Sequence, residues 1–283
     1  MSRTLAIRFL ALGCTLAGLW FAHTQQAPEP LVLEKIADDL HVLSGSGGNV
    51  AIYLTGEGAI LVDDKFERNV PEILSNVKKV TELPVRYVLN THQHGDHTGG
   101  NQALMKATPT EVISHRNARA NMVAGKMPGL ARVTFSDETA VFLGGKEVRA
   151  RHFGRGHTNG DAIIYFPAHK TIHTGDLFIA GAPFIDYSAG GSGVHWTKTI
   201  EAALQWDFDR VIPGHGPVMT RADLIAWKTS FEVVRERMAK LKREGKSKAE
   251  GEKLLDFSDQ APWMAGFAGR LWTRSYAGLW DEL

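Results

Sequence analysis

Short apolar runs separated by glycine-containing turns predict that residues 31–64 form β-strands. These runs are Leu40–Leu43, Val50–Leu54 and Ala59–Val62. The apolar spacing becomes helical from Asn69 onward, where Pro71 favours a helix start. A further strand-like run, Val85–Leu89, and a short helix from Asn101 follow.

The second half of the chain repeats this pattern more loosely. Strand-like runs occupy 148–153, 162–166, 171–173 and 211–212, and Thr199–Trp206 has helical spacing. Two halves that each run from strands to helices suit two sheets packed face to face with helices outside. Periodicity alone does not distinguish between the α/β and the α+β fold class.

The chain ends in a long apolar stripe and a run of aromatic residues. The stripe begins at Leu224 and has the spacing of one helix face. The aromatic residues are Trp263, Phe267, Trp272, Tyr276 and Trp280. We interpret residues 31–283 as one domain with a C-terminal helical extension from about residue 221 that docks on the body. A homodimer face is the alternative for the aromatic end.

Residues 1–27 differ in character from the rest. Arg3 and Arg8 precede an apolar run from Phe9 to Ala22, which is typical of a secretory signal peptide. The run is shorter than the roughly 20 residues that a spanning helix needs. We therefore expect a secreted or periplasmic protein, and contact with a membrane only if this segment stays attached as an anchor.

Bulk composition excludes few functions but narrows the partners. The chain has 283 residues and a net charge of +1, so no excess of positive charge indicates a nucleic-acid partner. Cys14 is the only cysteine, and removal of the signal peptide would leave no disulfide and no thiolate ligand. The expected partner is a small-molecule substrate.

The most informative segment is Thr91–His97, which places three imidazoles and a carboxylate in one short run. Neutral imidazole and ionised carboxylate are common ligands of zinc. Three further candidate ligands lie beside glycine after apolar runs. They are His157 in Gly-His-Thr, Asp176 in Thr-Gly-Asp and His215 in Pro-Gly-His-Gly. Glycine allows the sharp turns and close approaches that such a site needs.

With these motifs, and with Asp63 at the end of an early strand, the chain resembles the metallo-β-lactamase superfamily of hydrolases. The resemblance covers roughly residues 31–221. It implies an α+β fold, the four-layer αββα sandwich. It also implies the ligands of two Zn²⁺ ions: His92, His94 and His157 for the first, Asp96, His97 and His215 for the second, and Asp176 between them.

A three-histidine site with an open fourth position is the pattern of catalytic zinc. Manganese, iron or cobalt would accept the same ligands. Partners of the outer ring nitrogens should orient the imidazoles. Asp63 is the candidate for this role, whereas Thr158 and Thr174 are equally suited to bonds within turns.

Two cations lower the pKa of a shared water enough to form hydroxide at neutral pH. We expect that hydroxide, bridging the two ions, to attack a carbonyl carbon, with Asp96 as the catalytic residue that orients the water or moves a proton. The predicted function is a secreted binuclear zinc hydrolase of a β-lactam, lactone, ester or thioester. Asp176 stands where some lactamases have a cysteine ligand, which argues against a classical lactamase.

Two other classes remain as alternatives. An iron-dependent oxidoreductase uses the same scaffold, and a non-catalytic, metal-stabilised binding protein is the third interpretation. Two glycine-rich segments are candidates for the substrate mouth. Ser44–Gly48 is either a mobile lip or a plain hairpin loop, and the segment containing His195 and Trp196 is either part of the mouth or structural.

Overall fold

The computed structural model describes residues 30–260 and 270–283 and contains two β-sheets. The first sheet has seven strands in chain order: β1 (Val32–Ala37), β2 (Leu40–Ser44), β3 (Val50–Thr55), β4 (Gly58–Val62), β5 (Val85–Asn90), β6 (Glu111–His115) and β7 (Val133–Phe135). The second has six: β8 (Glu138–Leu143), β9 (Lys146–Arg151), β10 (Ile163–Phe166), β11 (Thr171–His173), β12 (Arg210–Ile212) and β13 (Met219–Thr220). Its spatial order also follows the chain, from β8 at one edge to β13 at the other.

Eight α-helices accompany the sheets in the described residues. They are α1 (Val70–Lys78), α2 (Gly95–Thr98), α3 (Asn101–Ala107), α4 (Arg116–Ala124), α5 (Gly193–Ala203), α6 (Arg221–Arg243), α7 (Lys248–Leu254) and α8 (Arg270–Glu282). The helix predicted at Thr199–Trp206 was placed too late. Ser192 caps α5 by accepting a hydrogen bond from the His195 backbone N–H, so the glycine-rich segment belongs to a helix start.

The central strands β3, β4 and β10 are buried on both sides because both faces of each sheet are covered there. In β4, Ile60 and Val62 face the other sheet, whereas Ala59 and Leu61 pack in the cluster that contains α1. In β10, alternate residues divide in the same way between the space between the sheets and the cluster beneath α5, α6 and α8. The layers are therefore helix, sheet, sheet and helix, which confirms the predicted αββα sandwich of the α+β class.

Parallel pairing brings the ends of four strands to one edge of the sandwich. Strand β4 is parallel to β5, and β11 is parallel to β12. Asn49 joins the two sheets at this edge, since its side-chain amide donates to the Pro213 carbonyl at 2.9 Å. The segments that follow these four strands carry Asp63, His92, Asp176 and His215, so the topology collects the motif residues at one place.

The C-terminal helices cover the second sheet. Helix α6 buries Trp227, Phe231, Val234 and Met238 along one stripe. Tyr276, Leu279 and Trp280 of α8 belong to the same buried cluster. The division of the chain at about residue 221 stays a prediction, although α6 begins at Arg221.

Some of the sequence predictions lie outside the described residues. These include the N-terminal segment 1–27, and with it the choice between signal peptide and anchor, as well as Trp263 and Phe267. Across residues 30–260 and 270–283, no helix has the length and apolar character needed to span a bilayer.

The packing of α8 predicts a large loss of stability when Leu279 is truncated. Leu279 is 0% exposed, and Leu279→Ala should lower the free energy of unfolding by about 2–5 kcal/mol. Leu254 is 55% exposed, and the matched change Leu254→Ala should cost less than about 0.5 kcal/mol. Urea unfolding followed by tryptophan fluorescence measures both. Equal, small losses would show that α8 does not pack in the core.

Candidate metal centre

All seven residues singled out as ligands lie together at the edge where the four strand ends meet. They form two groups. His92, His94, His157 and Asp176 make up the first, and Asp96, His97 and His215 the second, with the ligand atoms of each group within 4.8 Å of one another. That these residues bind metal stays a prediction, but their placement matches the expected division into two sites.

In the first group, three ring nitrogens face one another. His94 Nδ1 lies 3.1 Å from His92 Nε2 and 2.8 Å from His157 Nε2. Tetrahedral zinc with bonds of about 2.0–2.1 Å would place two nitrogens roughly 3.3 Å apart. The observed spacing is close to that value, so the group fits a zinc-sized ion after a small adjustment.

In the second group, His97 Nε2 lies 3.4 Å from His215 Nε2. The Asp96 carboxylate adds an oxygen 3.2 Å from His215 Nε2 and 3.6 Å from His97 Nε2. Two imidazoles and a carboxylate are again a donor set that suits zinc.

Asp176 lies between the groups. Its Oδ2 is 4.0 Å from His92 Nε2 and 3.7 Å from His157 Nε2. Its Oδ1 is 3.2 Å from His97 Nε2 and 3.4 Å from His215 Nε2. Oδ1 is buried and has no hydrogen-bond partner within the described part of the chain. A buried, unpartnered carboxylate oxygen is costly unless a cation occupies the space in front of it.

Hydrogen bonds at the outer ring nitrogens define which nitrogen faces the centre. His94 Nε2 donates to Asp186 Oδ2 at 2.8 Å, and His157 Nδ1 donates to the Phe184 carbonyl at 2.6 Å. His97 Nδ1 donates to Asp63 Oδ2 at 2.8 Å. When these rings are neutral, the outer nitrogen carries the proton and the inward nitrogen is the one available to a metal ion.

His92 is oriented indirectly. The Thr91 hydroxyl donates to Asp63 Oδ2 at 2.7 Å, which leaves its oxygen to accept from His92 Nδ1 at 3.1 Å. Thus Nε2 of His92 also faces inward without a proton. Burial lowers the pKa of His92 well below its usual value and that of His157 to about 4, so both rings are neutral at pH 7.

The second group attracts positive charge. Burial alone would lower the pKa of His97 and His215, but the Asp176 carboxylate outweighs it, together with Asp63 for His97 and Asp96 for His215. The pKa of His97 is therefore raised well above normal and that of His215 to about 9. An excess of carboxylate around these two rings is the electrostatic condition for holding a divalent cation.

Asp63 ties the strand ends together. It lies directly after β4 with a φ of 62°, an uncommon conformation for a non-glycine residue. Its Oδ1 accepts from the Thr91 backbone N–H at 2.8 Å, and its Oδ2 accepts from Thr91 and His97. The prediction that Asp63 orients an imidazole agrees with these contacts. Thr158 and Thr174 instead donate to Asp161 and to backbone carbonyls, which is the turn role.

Ser44–Gly48 packs against the centre. The Gly48 N–H donates to the Asp96 carbonyl at 3.0 Å, and the buried ammonium group of Lys65 donates to the Gly48 carbonyl at 2.6 Å. A Cβ at Gly48 would overlap the His97 ring, so this position requires glycine. These contacts favour a fixed loop over a mobile lip.

Sequence reasoning missed Asp186, Lys65 and Phe184. None belongs to a recognisable motif, and the contact between Asp186 and His94 joins residues 92 positions apart. His195 and Trp196 lie elsewhere. Trp196 is fully buried beneath α6, and the His195 ring bonds to Ser192 and Arg155.

The two groups open into a cleft of about 600 Å³. His94, Asp96, Asp176 and His215 form its floor together with Gly95. Its walls are the half-buried side chains of Phe66, Ile179 and Phe184. A small molecule in this cleft would contact both ligand groups.

Comparison with known proteins points to one family. A family model described as the metallo-beta-lactamase superfamily matches residues 43–215. A hydroxyacylglutathione hydrolase of Nostoc punctiforme is 32% identical over 149 residues, which cover 47% of this chain and 51% of that protein. Metallo-beta-lactamase type 2 of Bacillus cereus is 26% identical over 185 residues, covering 62% and 70%. The chain thus spans about half the length of the Nostoc relative.

A solved structure has the same fold. The metallo-beta-lactamase from Pontibacter korlensis aligns with a TM-score of 0.64 at 23% identity, covering 71% of this chain and 99% of that one. At this identity the likeness describes the fold.

The outer hydrogen bonds predict that Asp63 and Asp186 control metal affinity without binding metal. Asp63→Asn should weaken the second site through His97 and the first through Thr91 and His92, and Asp186→Asn should weaken the first site, each by about 10–100-fold. Competition with a chromogenic chelator measures both stoichiometry and affinity. Asp207→Asn, at an exposed carboxylate paired with Lys170, is the matched control and should change neither. Unchanged affinity in well-folded Asp186→Asn protein would contradict the role given to Asp186.

Proposed function

The chain belongs to the metallo-β-lactamase superfamily, and we propose that it is a hydrolase that uses two zinc ions to cleave a carbonyl substrate. One observation carries the proposal: the seven ligand atoms converge as a complete set, and the set opens into a cleft. The relatives are named as hydrolases, of hydroxyacylglutathione and of β-lactams. The substrate classes proposed for this chain are lactone, ester, thioester and β-lactam.

Bound zinc would supply a Lewis acid and a water of lowered pKa. The protein's own residues hold the reacting groups. Burial favours the protonated form of Asp96, but its hydrogen bond with His215 and the positive charges of His97 and His215 together outweigh burial and lower the pKa of Asp96 below its usual value. Asp96 is therefore ionised at neutral pH. Its carboxylate lines the cleft, where it can orient a water molecule by accepting a hydrogen bond from it.

The presence of Asp176 favours an acyl substrate other than a classical β-lactam. A carboxylate stands where some lactamases have a cysteine, and the chain has no cysteine after Cys14. Lactones, esters and thioesters all contain a carbonyl group that could bind at this centre. Turnover of a β-lactam is retained as the less favoured outcome.

The site is proposed to act outside the cytoplasm. Arg3, Arg8 and the apolar run to Ala22 are the observations that support secretion or a periplasmic location. Amino-terminal sequencing of protein recovered from culture medium and periplasm tests this. A mature chain that still begins at residue 1 would favour the membrane anchor.

Replacing one ligand should abolish turnover. His94 Nδ1 lies within hydrogen-bonding distance of the ring nitrogens of both His92 and His157. His94→Ala therefore removes the central one of the three imidazoles. Initial rates on a β-lactam, a lactone and a thioester, with and without chelator, should show at least one chelator-sensitive activity. His94→Ala should reduce that activity at least about 100-fold.

His195→Ala is the control, since this exposed histidine lies outside both ligand groups and the cleft. It should keep the wild-type rate. Full activity of His94→Ala in metal-verified protein would overturn the site assignment. If the zinc-loaded wild type turns over none of the three substrates, the two alternative classes of protein, an oxidoreductase or a binding protein, would be favoured. Dioxygen uptake by iron-loaded protein would then identify an oxidoreductase, and its absence a binding protein.

A further inference from the structure

The cleft walls are apolar wherever they are not formed by candidate ligands or Gly95. Phe66 comes from the segment after β4, and Ile179 and Phe184 from the segment between β11 and α5. The Phe184 ring packs against the imidazoles of His94 and His157, with ring centroids 6.1 and 5.6 Å away. A substituent on a carbonyl held at the centre would therefore contact hydrocarbon.

Lysine and arginine side chains are absent from the linings of the three clefts that adjoin the candidate ligands, within the described residues. The 600 Å³ cleft has only ligands as charged or titratable groups. The cleft beside His94 carries the carboxylate of Asp186, and the cleft beside His215 carries that of Glu34. Both additional charges are negative and would repel an anionic substrate.

Two cationic residues on the segment that carries Phe66 are engaged in other contacts. Lys65 is fully buried, and its ammonium group donates to the Gly48 carbonyl at 2.6 Å. The guanidinium of exposed Arg68 lies 4.1 Å from the centre of the Phe66 ring and donates to Ser46 Oγ at 3.3 Å. A substrate carboxylate placed along the apolar wall would lose water without gaining an ionic partner, which is unfavourable.

The three residues that follow Phe184 are each held by a hydrogen bond. The Ile185 N–H donates to Ser275 Oγ of α8 at 2.9 Å, and Asp186 accepts from His94. Glu282, at the end of α8, accepts from the Tyr187 hydroxyl at 3.0 Å. The apolar wall is thus preformed, and a ligand need not order it on binding.

We propose that this centre selects neutral carbonyl substrates with an apolar acyl or ring substituent, and that the Phe184 side chain is the main determinant of that selection. The inference rests on the proposed function, because it assumes a metal-bound carbonyl group. The backbone and side chain of Phe184 have separate roles. The carbonyl orients His157, while the ring forms the wall. Phe184→Ala therefore removes the Phe184 part of the wall and leaves the hydrogen bond.

A pair of thiols tests the selection without requiring turnover, since a thiolate binds zinc directly. Hexanethiol and 6-mercaptohexanoate have equal carbon number and differ in a terminal carboxylate. Calorimetry on zinc-loaded protein should show at least about tenfold tighter binding of hexanethiol, as expected for a buried alkyl chain with no ionic alternative. In Phe184→Ala, the affinity for hexanethiol should fall about tenfold while that for ethanethiol stays within about twofold.

Two controls separate this inference from a general defect. Phe142→Ala removes an aromatic ring that is 71% exposed on β8 and should change no affinity. Arg68→Ala should also leave both six-carbon thiols unaffected. If Arg68→Ala selectively weakens 6-mercaptohexanoate, or if that thiol binds as tightly as hexanethiol, the apolar selection is wrong while the zinc centre stands.

The two proposals fail in different ways. Loss of ethanethiol and hexanethiol binding to the same extent in Phe184→Ala would show a structural role for the ring and overturn its assignment. Failure of all three thiols to bind the zinc-loaded wild type would instead overturn the zinc centre itself. For a thioester substrate, a higher kcat/KM for the hexanoyl than for the adipoyl derivative of one thiol is the expected kinetic counterpart.

Discussion

The contacts of the Asp63 carboxylate are the constraint on which the centre depends. Asp63 is 0% exposed and accepts three hydrogen bonds, two from Thr91 and one from His97. These bonds join the end of β4 to the segment after β5 and orient ligands of both groups. A buried carboxylate is expensive to desolvate, and full hydrogen bonding compensates for that cost. The strained backbone at this residue is retained because the surrounding contacts determine it.

The two sheets contribute unequal parts of the centre. The first supplies the run that contains His92, His94, Asp96 and His97, and the second supplies His157, Asp176 and His215. Neither half alone could place both ligand groups beside one carboxylate, since Asp176 Oδ1 lies near His97 and its Oδ2 near His92. Packing of the sheets through the core between them is therefore also what positions the ligands. This couples the stability of the sandwich to the geometry of the metal centre.

The sequence singled out the seven candidate ligands by their local motifs, and the structure brings these residues together, although metal binding by them stays a prediction. The strand at Thr171–His173 and the helix from Asn101 were predicted where the structure has them. The start of α5 was missed because its glycines suggest a loop, whereas Ser192 acts as a cap. Asp186 and Phe184 could not be predicted, since their roles arise from contacts with His94 and His157 that depend on the tertiary fold.

The match to the family model ends at residue 215, yet residues beyond it help to shape the cleft. Helix α8 holds the segment with Phe184 through Ser275 and Glu282. The same segment also orients two candidate ligands, since Asp186 accepts from His94 and the Phe184 carbonyl accepts from His157. The wall and the first ligand group therefore share one support. Phe184 serves both, because its carbonyl orients His157 and its ring forms part of the wall. The proposed selection among substrates thus depends on residues outside the ligand motifs. The motifs alone do not predict it.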